Sequence, residues 1–489
     1  MTRENLRRGL RSYQLSMISI GGVIGVGMFL GAGAAVSMAG PAIILAYVLG
    51  GAVMFAVMLA LGEMTVSRPA PGAFRVHADM TLGSYVAFLT GWLYYFSWLG
   101  TMAAETVAAT TYLDRWFPHS VSPIIAAGMV IALTLVNLAK VESFGTFEFW
   151  FASIKVLAII LFILTGAALI VGFPGHPGIG TRNYLGQGGF APNGIGGLVR
   201  AMALVMVAYG GTEVIGVAAG ETKDPATSVP QAVRGIALRT LILYVGSMTI
   251  LVGIIPWHET GLRGSPFVLA YDALGIPRAS DIMNVVVLTA ALSSLNAGIY
   301  TSSRMLYSLA LESTVVRALA YTSSRTGIPS RAVIASTISV YFSILLYYLF
   351  PGSAFLYVTS IASFGFLFVW LVIALSHVRW RKVVTKDSEF KAPFYPYLSI
   401  ISSVFIVAFI GTLWAVPEQR VGLYAGLSMS AILTAGYGLQ RATRYPAIQK
   451  VLPGLRPRAE SPTAAGTALS LGLALATYFG LVSREVPPG

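Results

Sequence analysis

The chain has 489 residues, 56% of them hydrophobic and only 10% charged, where a soluble domain carries about 25% charged residues. Its 32 basic and 19 acidic residues leave a net charge of +13, but they sit in short clusters between long apolar runs, which argues against a nucleic-acid partner. Cysteine is absent, excluding disulfide scaffolds and cysteine–zinc sites, and His77, His119, His176, His258 and His377 are too scattered to suggest a metal centre.

An apolar stretch of about 18 or more residues can cross the ~30 Å hydrocarbon core as a helix. Such runs lie near 14–36, 41–65, 84–112, 121–139, 144–172 and 195–219, then near 234–256, 280–309, 332–350, 354–377, 397–416 and 421–439. They predict an all-α polytopic membrane protein with twelve spans, numbered here in chain order. A weaker run at 463–482 reads either as a thirteenth span or as an amphipathic or disordered tail. The basic start leads straight into a full-length span, so no cleavable signal is expected. Arg3, Arg7, Arg8 and Arg11 precede span 1, and Arg379, Arg381, Lys382, Lys386 and Lys391 follow span 10. The alternate loops are poorer in Lys and Arg, so the positive-inside bias places the N-terminus in the cytoplasm.

Two glycine clusters interrupt the apolar helices. Span 1 carries Gly21-Gly22-Val23-Ile24-Gly25-Val26-Gly27, and span 6 carries Tyr209-Gly210-Gly211-Thr212-Glu213. Close helix packing would explain either cluster alone. Their matched positions five spans apart instead suggest two inverted five-span repeats with a binding site at paired breaks. Unwound helix leaves N–H and C=O groups free, which suits an amino-acid zwitterion. On this reading Val26 and Gly27 donate N–H groups to a carboxylate, and Val23, Val207 and Gly210 offer carbonyls to an ammonium. Gly25 and Ala208 complete the backbone walls, and Ser293 and Asn296 on span 8 are candidate lining residues.

Ionisable groups at membrane depth are functional candidates. Lys155 lies about 11 residues into span 5, or ~17 Å, near the midplane. It reads as a proton-exchanging group or as a fixed ammonium bonded to carbonyls of the broken first helix. Glu105 on span 3 reads as a proton site, a contact for a substrate amine, or a buried acid bonded to backbone. Tyr209 is a candidate aromatic lid, and Glu213 a candidate cap for the second break. Glu63, Glu148, Glu221 and Arg304 lie nearer span ends and are expected to form inner-gate ion pairs or to snorkel.

The motifs LRRGLRSYQLSMISIGGVIGVGMFLGAG (6–33), PAPGAF (69–74), FEFWFASIKVLAII (147–160), YGGTEVIGVAAGETKDP (209–225) and SLNAGIYTSSRMLYSLA (294–310) make the chain resemble the amino-acid permeases of the amino acid–polyamine–organocation superfamily. The resemblance covers roughly 6–440, and Val26 departs from it where Ser or Thr is frequent. It implies a LeuT-type fold with repeats at 14–172 and 195–377, spans 11 and 12 at 397–439, and a tail at 441–489 outside the pattern. It further implies substrate gating by Glu213 and a lysine in place of a second sodium ion at Lys155. The expected activity is secondary transport importing an amino acid with a proton by alternating access, in the plasma membrane. The alternative is an amino-acid or polyamine exchanger without net proton coupling. The proton serves as coupling ion, with no cofactor and no sodium requirement; the partners are a small amino acid and the lipid bilayer. No span has an interior aspartate and no GxxxxGK[ST] loop occurs, so neither an intramembrane enzyme nor a nucleotide-driven pump is expected.

Overall fold

The computed structural model describes residues 6–174, 176–261, 264–273, 278–312, 316–349, 354–384, 389–415 and 417–444. The run at 463–482 lies outside them. The described chain is helical apart from a two-stranded hairpin pairing Gly172–Phe173 with His176–Pro177. Among the described residues, six helical stretches are long and apolar enough to cross a membrane: Gly31–Ser67, which joins the last piece of span 1 to span 2, Val141–Val171, Pro225–Ile254, Ala279–Glu312, Ala362–Val383 and Tyr397–Trp414.

Helices lie over each of the twelve apolar runs, with two interruptions. Span 1 is split into Ser12–Val23, Val26–Phe29 and Gly31–Ala39, and span 6 into Gly194–Ala208 and Val214–Ala219. Span 7 begins at Pro225 instead of near 234. Its first turns, PATSVPQAVR, are too polar to register as an apolar run although they are helical. Two further helices left no apolar run of spanning length: Phe74–Leu82 is too polar, and Pro266–Ala273, though apolar, is only eight residues long. Phe74–Leu82 carries Arg75, His77 and Asp79, yet Arg75 and His77 are buried against its neighbours.

Spans 3 (Ser84–Leu113) and 8 (Ala279–Glu312) pack along each other at the centre. The span 8 segment AALSSLNAGIYTSS is rich in small residues, which let helices approach closely without a bulky apolar interface. Nearly every residue of that segment is buried. At the periphery the pattern inverts: Leu135, Leu164 and Val404 are each more than 60% exposed, an apolar surface suited to lipid. This arrangement surrounds the two breaks with spans 3, 5, 7, 8 and 10.

Candidate functional site

The first break begins where Ile24 N–H makes the last regular bond of its half-helix, to Ile20 O at 3.0 Å. Gly25 follows in an extended conformation (φ −134°, ψ −152°) and starts the next helical piece. A side chain at Gly25 would run into the Glu105 carboxylate and Ser294, so the close approach itself demands glycine. The freed groups find partners on other spans. Lys155 Nζ donates to Gly21 O at 2.6 Å and Ile24 O at 2.7 Å, placing a cation at the C-terminal end of the half-helix. Val26 N–H donates to both oxygens of Glu105, at 3.0 and 3.1 Å. Lys155 and Glu105 are both buried.

The second break is turned by Gly210, whose N–H bonds Val207 O at 2.8 Å, and by Gly211 at φ +101°. Glu213 folds back so that both its oxygens accept Gly211 N–H at 3.1 Å. The same carboxylate accepts Tyr94 Oη–H at 2.9 Å and Trp370 Nε1–H at 3.1 Å. Glu213 therefore caps the break, as its position suggested, and is pinned to spans 3 and 10.

A cavity of about 30 Å³, large enough to hold water, lies between the breaks. Of the anticipated residues, Val23, Gly25, Val26, Gly27, Val207, Ala208, Gly210 and Glu105 line it. Tyr209 does not, contrary to the lid expectation. Its hydroxyl donates to Tyr47 O at 2.7 Å and its ring packs on Tyr47 and Tyr244, so the side chain is committed to aromatic packing behind the break. Ser293 and Asn296 also point elsewhere: both donate to the Glu148 carboxylate, Asn296 at 2.9 Å. Asn137 Nδ2 in turn donates to Asn296 Oδ1 at 2.7 Å. Span 8 instead presents Ser294, with Thr101, Ala104 and Ala362 as further lining residues that the sequence did not single out.

The carbonyl assignment is also corrected in part. Val23 O already receives Gly25 N–H at 3.0 Å and Tyr244 Oη–H at 2.8 Å, filling both lone-pair directions. Tyr244 reaches Ala208 O as well, at 2.9 Å, and so ties the two breaks together. A lone tyrosine in the apolar run of span 7 carries no sequence signal for such a role.

Away from the cavity, Glu221 pairs with Arg304 at 3.1 and 3.2 Å and accepts the Tyr300 hydroxyl. Glu63 pairs with Arg381 at 2.7 and 2.8 Å and meets His377 at 3.1 Å. These fit the expected ion pairs. Glu148 does not: it is fully buried and bonded to Ser293 and Asn296, without an ion pair among the described residues. The backbone N–H groups of Gly9 and Leu10 donate to Glu221 O, and Lys223 N–H to Leu10 O, strapping the N-terminal segment beneath span 6. On the loop helix Phe74–Leu82, burial pushes the His77 imidazole down to about 4. It is therefore neutral at physiological pH.

The model of the amino acid permease family matches residues 14–439. An uncharacterized amino acid permease of Bacillus subtilis, YtnA, is 41% identical over 442 residues, covering 89% of this chain and 95% of the relative. The Bacillus subtilis gamma-aminobutyric acid permease is 36% identical, covering 89% and 94%. The aromatic amino acid transport protein AroP of Escherichia coli is 35% identical, covering 90% and 97%.

Proposed function

The chain belongs to the amino acid permease family, and from that premise we propose that it imports an amino acid together with a proton across the plasma membrane by alternating access. The observation that carries this reading is the convergence of two broken helices on one cavity, with Lys155 holding the carbonyl end of the first break. The repeats at 14–172 and 195–377 take the inverted five-span arrangement of the LeuT type, with spans 11 and 12 outside them and the N-terminus cytoplasmic. Val26, Gly27 and Ser294 serve the carboxylate, and Val207 and Gly210 the ammonium. Relatives named for gamma-aminobutyric acid and for aromatic amino acids have a carboxylate and an amine in common. That supports recognition of those two groups by the breaks, with selectivity assigned to Thr101, Ala104 and Ala362 around them.

Lys155 is the proposed coupling group, and it occupies the position where a sodium ion would otherwise bridge the broken helix. Transport is therefore driven by an inward proton gradient and indifferent to sodium. Purified protein in liposomes, screened with the proteinogenic amino acids and gamma-aminobutyrate, should accumulate a substrate when the lumen is alkaline, equally with sodium or choline outside. An absolute sodium requirement overturns the lysine assignment, and counterflow without net proton movement favours exchange.

A further inference from the structure

The N–H group that opens the second piece of span 1 is not free. Glu105 reaches across from span 3, and both its oxygens lie on Val26 N–H, at 3.0 and 3.1 Å. That is the geometry a substrate carboxylate would adopt at the same place. A charged acceptor makes a hydrogen bond roughly twice as strong as a neutral one, so ionised Glu105 is a strong competitor for this donor. The Ser294 hydroxyl faces the same carboxylate from span 8. It lines the cavity and is 1% exposed. It supplies from a neighbouring helix the hydroxyl that Val26 itself lacks.

The charges around Glu105 bear on when it lets go. Lys155 on span 5 faces both Glu105 and Glu148, so one ammonium stands against two buried carboxylates. Tyr112 on span 3 and Tyr244 on span 7 also face Glu105 and add no positive charge. A substrate carboxylate entering beside an ionised Glu105 would place a third anion in this buried cluster, while the substrate's own ammonium is held away from it by the Val207 and Gly210 carbonyls.

We propose that Val26 N–H and the Ser294 hydroxyl form the carboxylate subsite, and that Glu105 occupies it as a tethered internal ligand, yielding it to substrate only on taking up a proton. Glu105 is then a selectivity device for ligands bearing a carboxylate and the group that takes up a proton on binding, with Lys155 staying charged until the later transport step. This rests on the reading of the cavity as an amino-acid site.

The test is calorimetric binding to the detergent-purified full chain, without any gradient, from about pH 5.5 to about 8.5. The probes are the proteinogenic L-amino acids and gamma-aminobutyrate. In wild type, the dissociation constant of each probe that binds should rise about tenfold per pH unit on the alkaline arm, with one proton taken up per ligand. Glu105→Gln should bind at alkaline pH as tightly as wild type does at acid pH, with a flat profile and no proton uptake. Ser294→Ala should weaken binding several-fold at every pH and leave the slope intact. Weaker binding in Glu105→Gln with the wild-type slope would show that Glu105 holds the substrate amine, overturning the proposal while the amino-acid reading stands. A pH-independent wild type overturns it in the same way. Failure of every probe to bind wild type overturns both.

Discussion

The two broken helices solve the same problem by different means. In span 1 the freed groups are met by charges from elsewhere in the chain: Lys155 on span 5 takes the carbonyls, and Glu105 on span 3 takes the N–H. In span 6 the freed N–H of Gly211 is met by an acid two residues away, Glu213, which neutral donors on spans 3 and 10 hold still. The first break therefore depends on the protonation and position of distant groups, whereas the second is closed by its own sequence. Such a pairing suits a site in which one wall responds to charge and the other stays fixed.

The largest effect expected from breaking this contrast is at Lys155. Lys155→Ala should abolish proton-driven accumulation, because the span 1 carbonyls lose their cation and no proton-exchanging ammonium remains. Lys155→Arg should also fail to couple, since arginine stays protonated at physiological pH. Accumulation and substrate-linked proton movement in liposomes check both, and wild-type coupling in Lys155→Arg would leave Glu105 as the sole coupling group. A smaller effect is expected at Glu213, whose carboxylate accepts from Tyr94, Trp370 and Gly211 together. An amide there turns a donor toward a donor, costing about 1–3 kcal/mol. Glu213→Gln should thus lower thermal stability and slow uptake several-fold, with the wild-type pH profile retained. A changed pH profile would mean that the second break is not self-contained. The smallest effect is expected for Tyr244→Phe, which removes one hydroxyl shared between Val23 O and Ala208 O. Unfolding monitored in detergent should show a loss of about 1 kcal/mol, with coupling unchanged.

Much of this arrangement was legible in the sequence because glycine clusters and membrane-depth charges are rare and conspicuous. The breaks in spans 1 and 6 follow from such residues, whereas the bonding of Lys155 to first-helix carbonyls and the capping by Glu213 answer to the alternatives to proton exchange and gating that the same residues left open. Rotation of a helix about its axis was not legible where all its faces are buried. Span 8 is the clearest case: Ser293, Ser294 and Asn296 are adjacent and similar, and no apolar stripe marks which of them faces the cavity. A register error of one residue, about 100° of rotation, separates Ser293 on Glu148 from Ser294 on the cavity. Tyr209 shows the same limit, since its neighbours in sequence line the cavity while its own ring turns to Tyr47 and Tyr244.

The contact between the two breaks has a genetic consequence. At Gly211 the backbone is left-handed, and a Cβ there would strike the Gly22 carbonyl. Any missense change of one nucleotide in a glycine codon yields a residue with a Cβ, so this codon has no mild missense neighbour. Gly22 differs, because a Cβ there would meet its nearest neighbours at an ordinary 3.5 Å. Sequence drift in this lineage should therefore be lopsided across a single contact, admitting alanine on the span 1 side while the span 6 side remains glycine.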